Sequence, residues 1–585
     1  MAVRVAHAQE PAYVPDLRTL RRPTTSELRD LIERFDSDRD GLLRRYRVAY
    51  SPARRAALRD FAGAWLARLR GGAIRFDSLS QDGRVDFVLL RNVLEREQAE
   101  LAREERLMTE LAPLLPFAAA IFDLEEARRR METVDPPAVA RALHRLGDEV
   151  GRTHRTIEAV ARPESSAVAG RPTRIAAFRA AAVLTDLRET LGQWFRFYDG
   201  YDPLFSWWAR APSQRADSAL QAYVKLLREQ VVGVKPGQDE PIVGLPIGRE
   251  AILADLVHEM IPYSPEELVA IAQREFAWCE TEFRRAARDL GLGDDWRAAL
   301  ERVKNAYVAP GRQPDLVRDL AREAEQFLAR HDLVTVPPLA RDIWRMEMLS
   351  PERQKESPFF LGGEIIQVSF PTDAMSEDDK LMSMRGNNIH FARATVHHEL
   401  IPGHHLQGFM TARYNPHRGV FRTPFWHEGN SFYWEMLLWD LGFPRSPEDR
   451  VGMLFWRMHR AARIIFSLGF QLGTMTPEQA IDFLVERVGH ERANATAEVR
   501  RSFNGSYSPL YQVAYMIGGL QFRALHQELV GAGRLTNRQF HDAILRSGSM
   551  SVEMVRALLT NQRLTPDYRA GWRFAGEAPG GGVRR

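Results

Sequence analysis

The apolar residues of this chain recur mainly at helical spacing. Between Asp82 and Ala112 the apolar positions stand four, seven or eight residues apart, which places them on one face of a helix. These positions are Val85, Leu89, Val93, Leu101 and Met108. Similar stretches predict helices over Pro137–Arg155 and Arg174–Phe197. The sequence therefore predicts a mainly α-helical fold.

A strand pattern stands out in one stretch, Glu364 to Phe370. Ile366, Val368 and Phe370 occupy alternate positions, and Gly362-Gly363 precedes them. Alternation with a period of two is typical of a strand with one buried face. We therefore expect a small β element within the helical fold.

Local signals indicate where helices begin and where the chain divides. Ser264-Pro265-Glu266-Glu267 and Thr476-Pro477-Glu478-Gln479 each place a capping hydroxyl before proline and a capping-box side chain three residues later. The Gly/Pro-rich segment Val232–Gly248 predicts a linker between an N-terminal helical region, 10–231, and a second region, 249–570. Residues 571–585, rich in glycine, are predicted to be a disordered tail.

Composition excludes several classes of protein. The chain has 585 residues with 80 Lys plus Arg against 77 Asp plus Glu, so its net charge of +3 gives no nucleic-acid footprint. No apolar run reaches the length of about 18 residues that a transmembrane helix needs. The single Cys279 excludes an internal disulfide and a zinc site built from several cysteines.

The N-terminus leaves the location of the protein open. Residues 1–9 are too short for a secretory signal, but Ala6-His7-Ala8 has the small-x-small form of a cleavage site. We interpret them as a signal remnant. The protein would be periplasmic or secreted if a signal peptide has been lost, and cytoplasmic otherwise.

The candidate chemistry is concentrated between Thr395 and Gln407. His397, His398, Glu399, His404 and His405 place four histidines and one glutamate within nine residues. In the zinc template HExxH, two histidines one helical turn apart hold the metal and the glutamate acts as base. His398 and Glu399 fit its start, but the second histidine position is occupied by Pro402.

The partner of His398 must therefore lie beyond the proline. Six residues of straight helix turn through about 600° and seven rise about 10.5 Å, so neither His404 nor His405 could share one ion with His398 on a regular helix. Pro402-Gly403 favours an interruption of the helix that brings His398 and His404 together. His397 and His405 then become candidates for supporting or substrate contacts.

A third ligand is expected from the segment Trp426 to Glu435. It contains two acidic candidates, Glu428 and Glu435, and Glu428 lies thirty residues after His398. A second helix could return beside the first over that interval.

The combined motif resembles a known family. His398-Glu399-x-x-Pro402-Gly403-His404-His405-x-Gln407, followed by Glu428-Gly429-x-x-x-Tyr433-x-Glu435, resembles a large bacterial family of helical proteins catalogued as a domain of unknown function and regarded as zinc peptidases. It is more distantly similar to the zinc carboxypeptidases of the carboxypeptidase Taq type. The resemblance implies a large helical metallopeptidase-like fold with its β element beside a deep active-site cleft.

The resemblance also implies roles for individual residues. His398, His404 and Glu428 would bind one zinc ion, and Glu399 would act as the general base. Glu435 would be a reserve ligand or would orient a histidine, and His427 would support the site or contact substrate.

A second stretch resembles the other signature of that family, an arginine, a proline, a glutamine and a Tyr-x-x-Gly. Gln512 and Tyr515 match it, and Tyr515 is the first candidate for stabilising an oxyanion, with Tyr507 behind it. Arg501 could bind a substrate carboxylate or form an ordinary salt bridge. Where relatives have Asp-x-Gly-x-His, this chain has Ser467-Leu468-Gly469-Phe470-Gln471, which puts substrate preference in doubt.

These observations predict a zinc-dependent hydrolase that cleaves peptide bonds, mainly of short peptides, through Glu399-assisted attack of a water held by the metal. A metal-dependent hydrolase of a non-peptide amide and an inactive zinc-binding relative are the alternatives. Glu399 argues against the latter, because a structural zinc site needs no base. The sequence predicts neither the cleavage end, the physiological metal nor the oligomeric state.

Overall fold

The fold is described by a computed structural model that covers Tyr13 and residues 25–162, 170–235, 237, 240–354, 359–505 and 507–575. Helices account for 71% of the chain and strands for 2%, which confirms the predicted helical fold with a small β element. Residues 1–9, interpreted above as a signal remnant, and residues 576–585 of the predicted tail lie outside the described residues.

The chain forms two compact units. One contains the described residues of Met1–Ile32, Arg75–Leu90 and Pro246–Arg585, and the other contains Glu33–Ile74 and Arg91–Leu245. The boundary between Leu245 and Pro246 lies within the Gly/Pro-rich segment 232–248. The assignment of residues 75–90 to the unit that holds the C-terminal half has no signal in the sequence.

Seven α-helices, α1 to α7, precede the Gly/Pro-rich segment among the described residues. They run over Arg29–Arg45, Pro52–Arg70, Gln81–Leu111, Ala118–Arg129, Pro136–Ala161, Arg174–Tyr198 and Pro203–Leu226. The helices predicted from apolar spacing correspond to α3, α5 and α6. In the smaller unit, fully buried residues such as Leu143, Leu184 and Phe205 join α5, α6 and α7 in one core.

The remaining helices belong to the larger unit. Helices α8 to α15 run over Gly248–His258, Pro265–Asp289, Trp296–Lys304, Gln313–Arg330, Pro338–Ile343, Pro351–Gln354, Glu377–Gly386 and Ile389–Glu399. Helices α16 to α23 run over His404–Thr411, Pro424–Asp440, Pro447–Gln471, Pro477–Phe483, Arg492–Phe503, Tyr511–His526, Asn537–Ser547 and Val552–Leu559. Short π-helical turns, Leu227–Val232, Leu484–Val488 and Gln527–Gly531, extend α7, α19 and α21. Short 3-10 turns lie at Phe76–Ser78, Ala112–Leu114 and Pro416–Phe421.

Both predicted capping boxes are confirmed. The hydroxyl of Ser264 accepts from the backbone N–H of Glu267, whose side chain accepts from the Ser264 N–H, and Thr476 and Gln479 form the same pair. These caps satisfy backbone donors at the first turns of α9 and α19. No helix among the described residues is both long and apolar enough to cross a bilayer.

The predicted strand is also confirmed, as one half of a two-stranded sheet. Strand β1, Arg345–Met348, pairs in parallel with β2, Ile365–Val368, and Arg345 is opposite Ile365. Ile366 and Val368 are fully buried, as their alternation indicates. Leu361 bridges back to Gln367 on β2, so the loop before β2 folds against the strand.

Candidate metal centre

The metal motif contains a break between two helices. Helix α15 ends at Glu399 and α16 begins at His404. The Gly403 N–H donates to the carbonyl oxygen of His397 at 3.0 Å, and a Cβ at residue 403 would lie 1.7 Å from the carbonyl oxygen of His398. Only glycine allows so close a backbone approach. The fold-back places the ring centroids of His398 and His404 4.8 Å apart.

A close helix crossing positions the acidic candidate. Helices α17 and α21 meet at Gly429 and Gly518, where a Cβ on Gly429 would lie 2.5 Å from the Gly518 Cα. A Cβ on Gly518 would lie 2.1 Å from the carbonyl oxygen of Phe425. The two glycines therefore let the backbones touch, and the contact brings α21 next to Glu428.

The three predicted ligands converge on one point. His398 Nε2 lies 3.5 Å and His404 Nε2 3.2 Å from Glu428 Oε2, and all three side chains are buried. Zn–N and Zn–O bonds of about 2.0–2.2 Å in a tetrahedron separate ligand atoms by about 3.3–3.5 Å. Glu428 Oε2 has no hydrogen-bond partner among the described residues. Both distances to Glu428 therefore suit neighbouring ligands of one zinc ion, which would satisfy that oxygen.

Two further side chains, Glu399 and His427, lie close enough to the predicted ligands to bind the same metal ion. Ligand atoms of His398, Glu399 and His404 lie within 4.8 Å of one another, and so do those of His404, His427 and Glu428. The His427 ring stacks on His404 with centroids 4.0 Å apart. Burial lowers the pKa of His427 to about 3, so this imidazole is neutral and has a free lone pair.

Glu435 binds the ring nitrogen of His398 that does not face Glu428. His398 Nδ1 donates to Glu435 Oε1 at 2.7 Å, and Arg460 donates to the same oxygen at 3.2 Å. Burial disfavours the charged form of His398, but the neighbouring carboxylates of Glu428 and Glu435 outweigh it and raise its pKa to about 9. The Glu435 carboxylate thus fixes the ring so that Nε2 points toward Glu428, as supporting carboxylates do in metal sites.

Two polar side chains, Ser431 and Gln407, contact the second ring nitrogen of His404, and neither contact was predicted. Its Nδ1 lies 3.2 Å from the Ser431 hydroxyl and 3.3 Å from Gln407 Oε1. The Gln407 amide in turn donates to Ser431 at 2.9 Å and to Asn430 at 3.1 Å. Gln407 lies in the quoted motif, but its spacing alone does not assign it a partner.

Glu399 lies against the loop that leads into β2. The Gly363 N–H donates to the carbonyl oxygen of Glu399 at 3.2 Å, and a Cβ at Gly362 would lie 2.6 Å from the Glu399 Cα. Desolvation raises the pKa of Glu399, although the charges of His404 and His398 oppose it. A raised pKa gives this carboxylate a higher proton affinity, which suits a base.

Two tyrosines of α21 reach the centre. Tyr511 donates a hydrogen bond to Glu428, and the Tyr515 ring lies parallel to His398 with centroids 6.1 Å apart. Burial raises the pKa of both phenols, so both stay protonated. Tyr507 precedes α21, and its ring packs at a tilt against Tyr511 with centroids 4.3 Å apart. Tyr511 was not predicted as a site residue. The sequence did contain a signal for it, because Tyr507, Tyr511 and Tyr515 stand four residues apart and would share one face of a helix.

The other predicted histidines lie elsewhere. His397 is buried edge-on to Phe443 at 5.5 Å, burial lowers its pKa to about 3, and neither ring nitrogen has a hydrogen-bond partner among the described residues. His405 Nε2 lies 2.6 Å from the carbonyl oxygen of Ala340. These contacts give both residues packing environments outside the ligand set.

Arg501 and Gln512 meet at a second buried carboxylate, Glu498. The Arg501 Nε lies 2.9 Å from Glu498 Oε2, and the Gln512 amide donates to Glu498 Oε1 at 3.2 Å. In the segment that departs from relatives, Gln471 accepts a hydrogen bond from the Ile247 N–H at 2.9 Å. The described contacts of Gln471 therefore do not include a metal ligand.

Five solved chains match this one, among them two described as candidate lipoproteins. One, described as a candidate lipoprotein of unknown function from Shewanella oneidensis, has a TM-score of 0.66 and 17% sequence identity, covering 92% of this chain and 100% of that one. The other, described as a candidate lipoprotein from Colwellia psychrerythraea, has a TM-score of 0.49 and 16% identity over 72% of this chain and 75% of that one. The first similarity shows a shared fold.

Sequence comparison places the chain in a family. No curated protein matches the sequence. The family described as bacterial protein of unknown function, DUF885, matches residues 39–559, which is most of the chain. The chain therefore belongs to the DUF885 family of bacterial proteins.

Proposed function

We propose that this protein is a single-zinc hydrolase that cleaves peptide bonds of short peptides. The supporting observation is that Glu428 Oε2 lies 3.5 Å from His398 Nε2 and 3.2 Å from His404 Nε2, close to the ligand spacing of a zinc tetrahedron. Structural zinc sites use four protein ligands, whereas catalytic sites use three and keep one position open. Three buried ligands with a carboxylate beside them match the catalytic arrangement.

The surrounding residues have the chemistry that amide hydrolysis needs. Zinc bound here would lower the pKa of a water ligand to about 7 and supply a nucleophile at neutral pH. Glu399, with its raised pKa, accepts the proton and passes it to the leaving amine. Tyr515 keeps its proton and donates a hydrogen bond to the developing oxyanion. Tyr511 fixes Glu428 through its hydroxyl.

The loop before β2 is the proposed wall for the substrate backbone. Its Gly362 contacts Glu399 directly, so a peptide lying along this loop would pass the base. Extended peptides commonly bind beside strands through main-chain hydrogen bonds. Export to the cell envelope stays a prediction, since Ala6-His7-Ala8 lies outside the described residues.

The test is turnover of a mixed peptide library by zinc-loaded wild type and Glu399→Gln, followed by mass spectrometry. We expect wild type to cleave and the variant to lose about 10²-fold or more, because a general base typically contributes that much. The zinc content of the variant should equal that of wild type. Full activity in the variant, or a zinc-loaded wild type that cleaves no peptide, would contradict the proposal; cleavage of other amides alone would favour the non-peptide alternative.

A further inference from the structure

A basic cluster of three buried arginines lies behind the tyrosines of the metal centre. Arg460 and Arg463 belong to α18 and Arg501 to α20, and each is less than a tenth exposed. Arg460 pairs with Glu435 at 3.2 Å, while Arg463 at 2.7 Å and Arg501 at 2.9 Å both pair with Glu498. These ion pairs oppose three positive charges with two negative ones.

The two carboxylates are also committed to other partners. Glu435 accepts from His398 Nδ1 at 2.7 Å, and Glu498 accepts from Gln512 at 3.2 Å. The nearby histidines His459 and His490 hydrogen bond to each other at 2.9 Å, and burial keeps the pKa of each low, so both are neutral. Arg463 and Arg501 therefore share the carboxylate of Glu498, which also accepts from Gln512, and buried charges are normally matched by an opposite charge.

The basic cluster borders the metal ligands through aromatic rings. The guanidinium of Arg463 lies 4.3 Å and that of Arg460 4.8 Å from the centre of the Tyr515 ring, which faces His398. Arg501 lies 5.3 Å from the centre of the Tyr507 ring. Tyr515 thus lies between Arg463 and His398, whereas Arg460 reaches His398 through Glu435.

One side of the basic cluster is accessible, and a buried donor of Arg463 is unused in the described part of the chain. Tyr507 and Tyr511 are partly exposed, so a ligand can reach their side of the cluster. Arg463 is 2% exposed, and its Nη1 has no hydrogen-bond partner among the described residues. An unmet donor on Arg463, whose carboxylate partner is shared with a second arginine, favours an anionic ligand.

We propose that the substrate carries a carboxylate close to the scissile bond, and that the basic cluster binds it through Arg501 beside Tyr507, with Arg463 contributing charge from behind. A planar guanidinium suits a carboxylate, which it can bind with two parallel hydrogen bonds. The carboxylate can come from a free C-terminus or from an Asp or Glu side chain. The position of the scissile bond rests on the proposed function, whereas carboxylate binding does not.

Binding to the non-hydrolysing Glu399→Gln variant, loaded with zinc, tests the proposal. The probes are a mixed library of N-acetylated tetrapeptides with free C-termini and the same library as C-terminal amides, and retained peptides are identified by mass spectrometry. We expect carboxylate-bearing peptides to bind at least roughly tenfold more tightly than neutral counterparts, since buried charge pairs are worth that much or more. Preference for free acids regardless of side chain would identify the C-terminus, and preference for Asp or Glu over Asn or Gln in both libraries would identify a side chain.

Variants of the arginines separate binding from folding. Adding Arg501→Gln to the Glu399→Gln variant should abolish its preference for carboxylate-bearing peptides. Adding Arg501→Lys instead should keep part of that preference. The matched control is Arg457→Gln, because Arg457 is a buried arginine of the same α18 that pairs with Glu275 at 2.7 Å and stacks on Trp278. It should keep the full preference and the same zinc content.

The outcomes distinguish this inference from the proposed function. Equal binding of acids and amides, or a preference that survives Arg501→Gln, would overturn the carboxylate site even if wild type cleaves peptides. Acid-selective binding by a protein that cleaves no peptide would support the carboxylate site and contradict the peptidase proposal. Acid-selective binding lost equally in Arg457→Gln would assign the effect to folding and overturn the role of Arg501.

Discussion

Single side chains of the centre are held from two sides. His398 presents Nε2 to Glu428 while its Nδ1 donates to Glu435, and His404 presents Nε2 to the same oxygen while its Nδ1 contacts Ser431 and Gln407. A histidine whose second nitrogen is fixed has a defined tautomer and a fixed ring orientation. The ligand geometry therefore depends on residues that would never touch the metal.

Glu435→Gln tests that dependence. The amide keeps the size of the side chain but loses the negative charge that orients and polarises His398. We expect zinc affinity to fall about 10- to 100-fold, as is typical when such partners are removed. Competition with a chromophoric chelator measures the affinity.

The matched control is Glu553→Gln, because Glu553 on α23 is also a buried glutamate and accepts a hydrogen bond from Tyr568. It should leave zinc affinity unchanged. Equal affinities in Glu435→Gln and wild type would show that His398 needs no carboxylate behind it.

At the scale of elements, the break between α15 and α16 does the main positioning. Pro402-Gly403 predicted an interruption, and the structure confirms one, with residues 400–403 outside both helices. The form of the break was not predictable, because it depends on Gly403 packing onto the carbonyl of His398. A sequence pattern shows that a helix ends but not where the chain turns next.

Gly403→Ala tests the fold-back. Its new methyl would meet the His398 carbonyl oxygen at 1.7 Å, and a backbone atom cannot move away as a flexible side chain could. We expect the free energy of unfolding to fall by about 1–3 kcal/mol or more, as for overpacked sites, together with loss of zinc. Urea unfolding and elemental analysis measure the two effects.

Gly408→Ala is the control five residues later on α16, where a methyl would meet nothing within 4 Å. It should raise stability by about 0.5–1 kcal/mol, because alanine favours a helix. Gly403→Ala with normal zinc content and normal stability would contradict the described break.

At the scale of the whole molecule, the sequence predicted what local patterns encode. Apolar spacing located α3, α5 and α6, and the Pro402-Gly403 interruption predicted that His398 and His404 lie close together, as their rings do. Tyr511 was missed because its bond to Glu428 depends on the crossing of α17 and α21 at Gly429 and Gly518. The grouping of residues 75–90 with the C-terminal half was missed for the same reason. Contacts between distant elements are set by packing, which periodicity does not record.

The centre is thus assembled from helices α15, α16 and α17. We propose that His398, His404 and Glu428 of these helices together hold one zinc ion. The most direct measurement is zinc content by elemental analysis of protein purified without added metal. We expect about one zinc per chain in wild type and in His405→Ala, whose histidine contacts Ala340, and little in Glu428→Ala or His404→Ala, because each removes one of three ligands. Zinc retained in both ligand variants, or a wild type that binds none even after reconstitution, would contradict the claim.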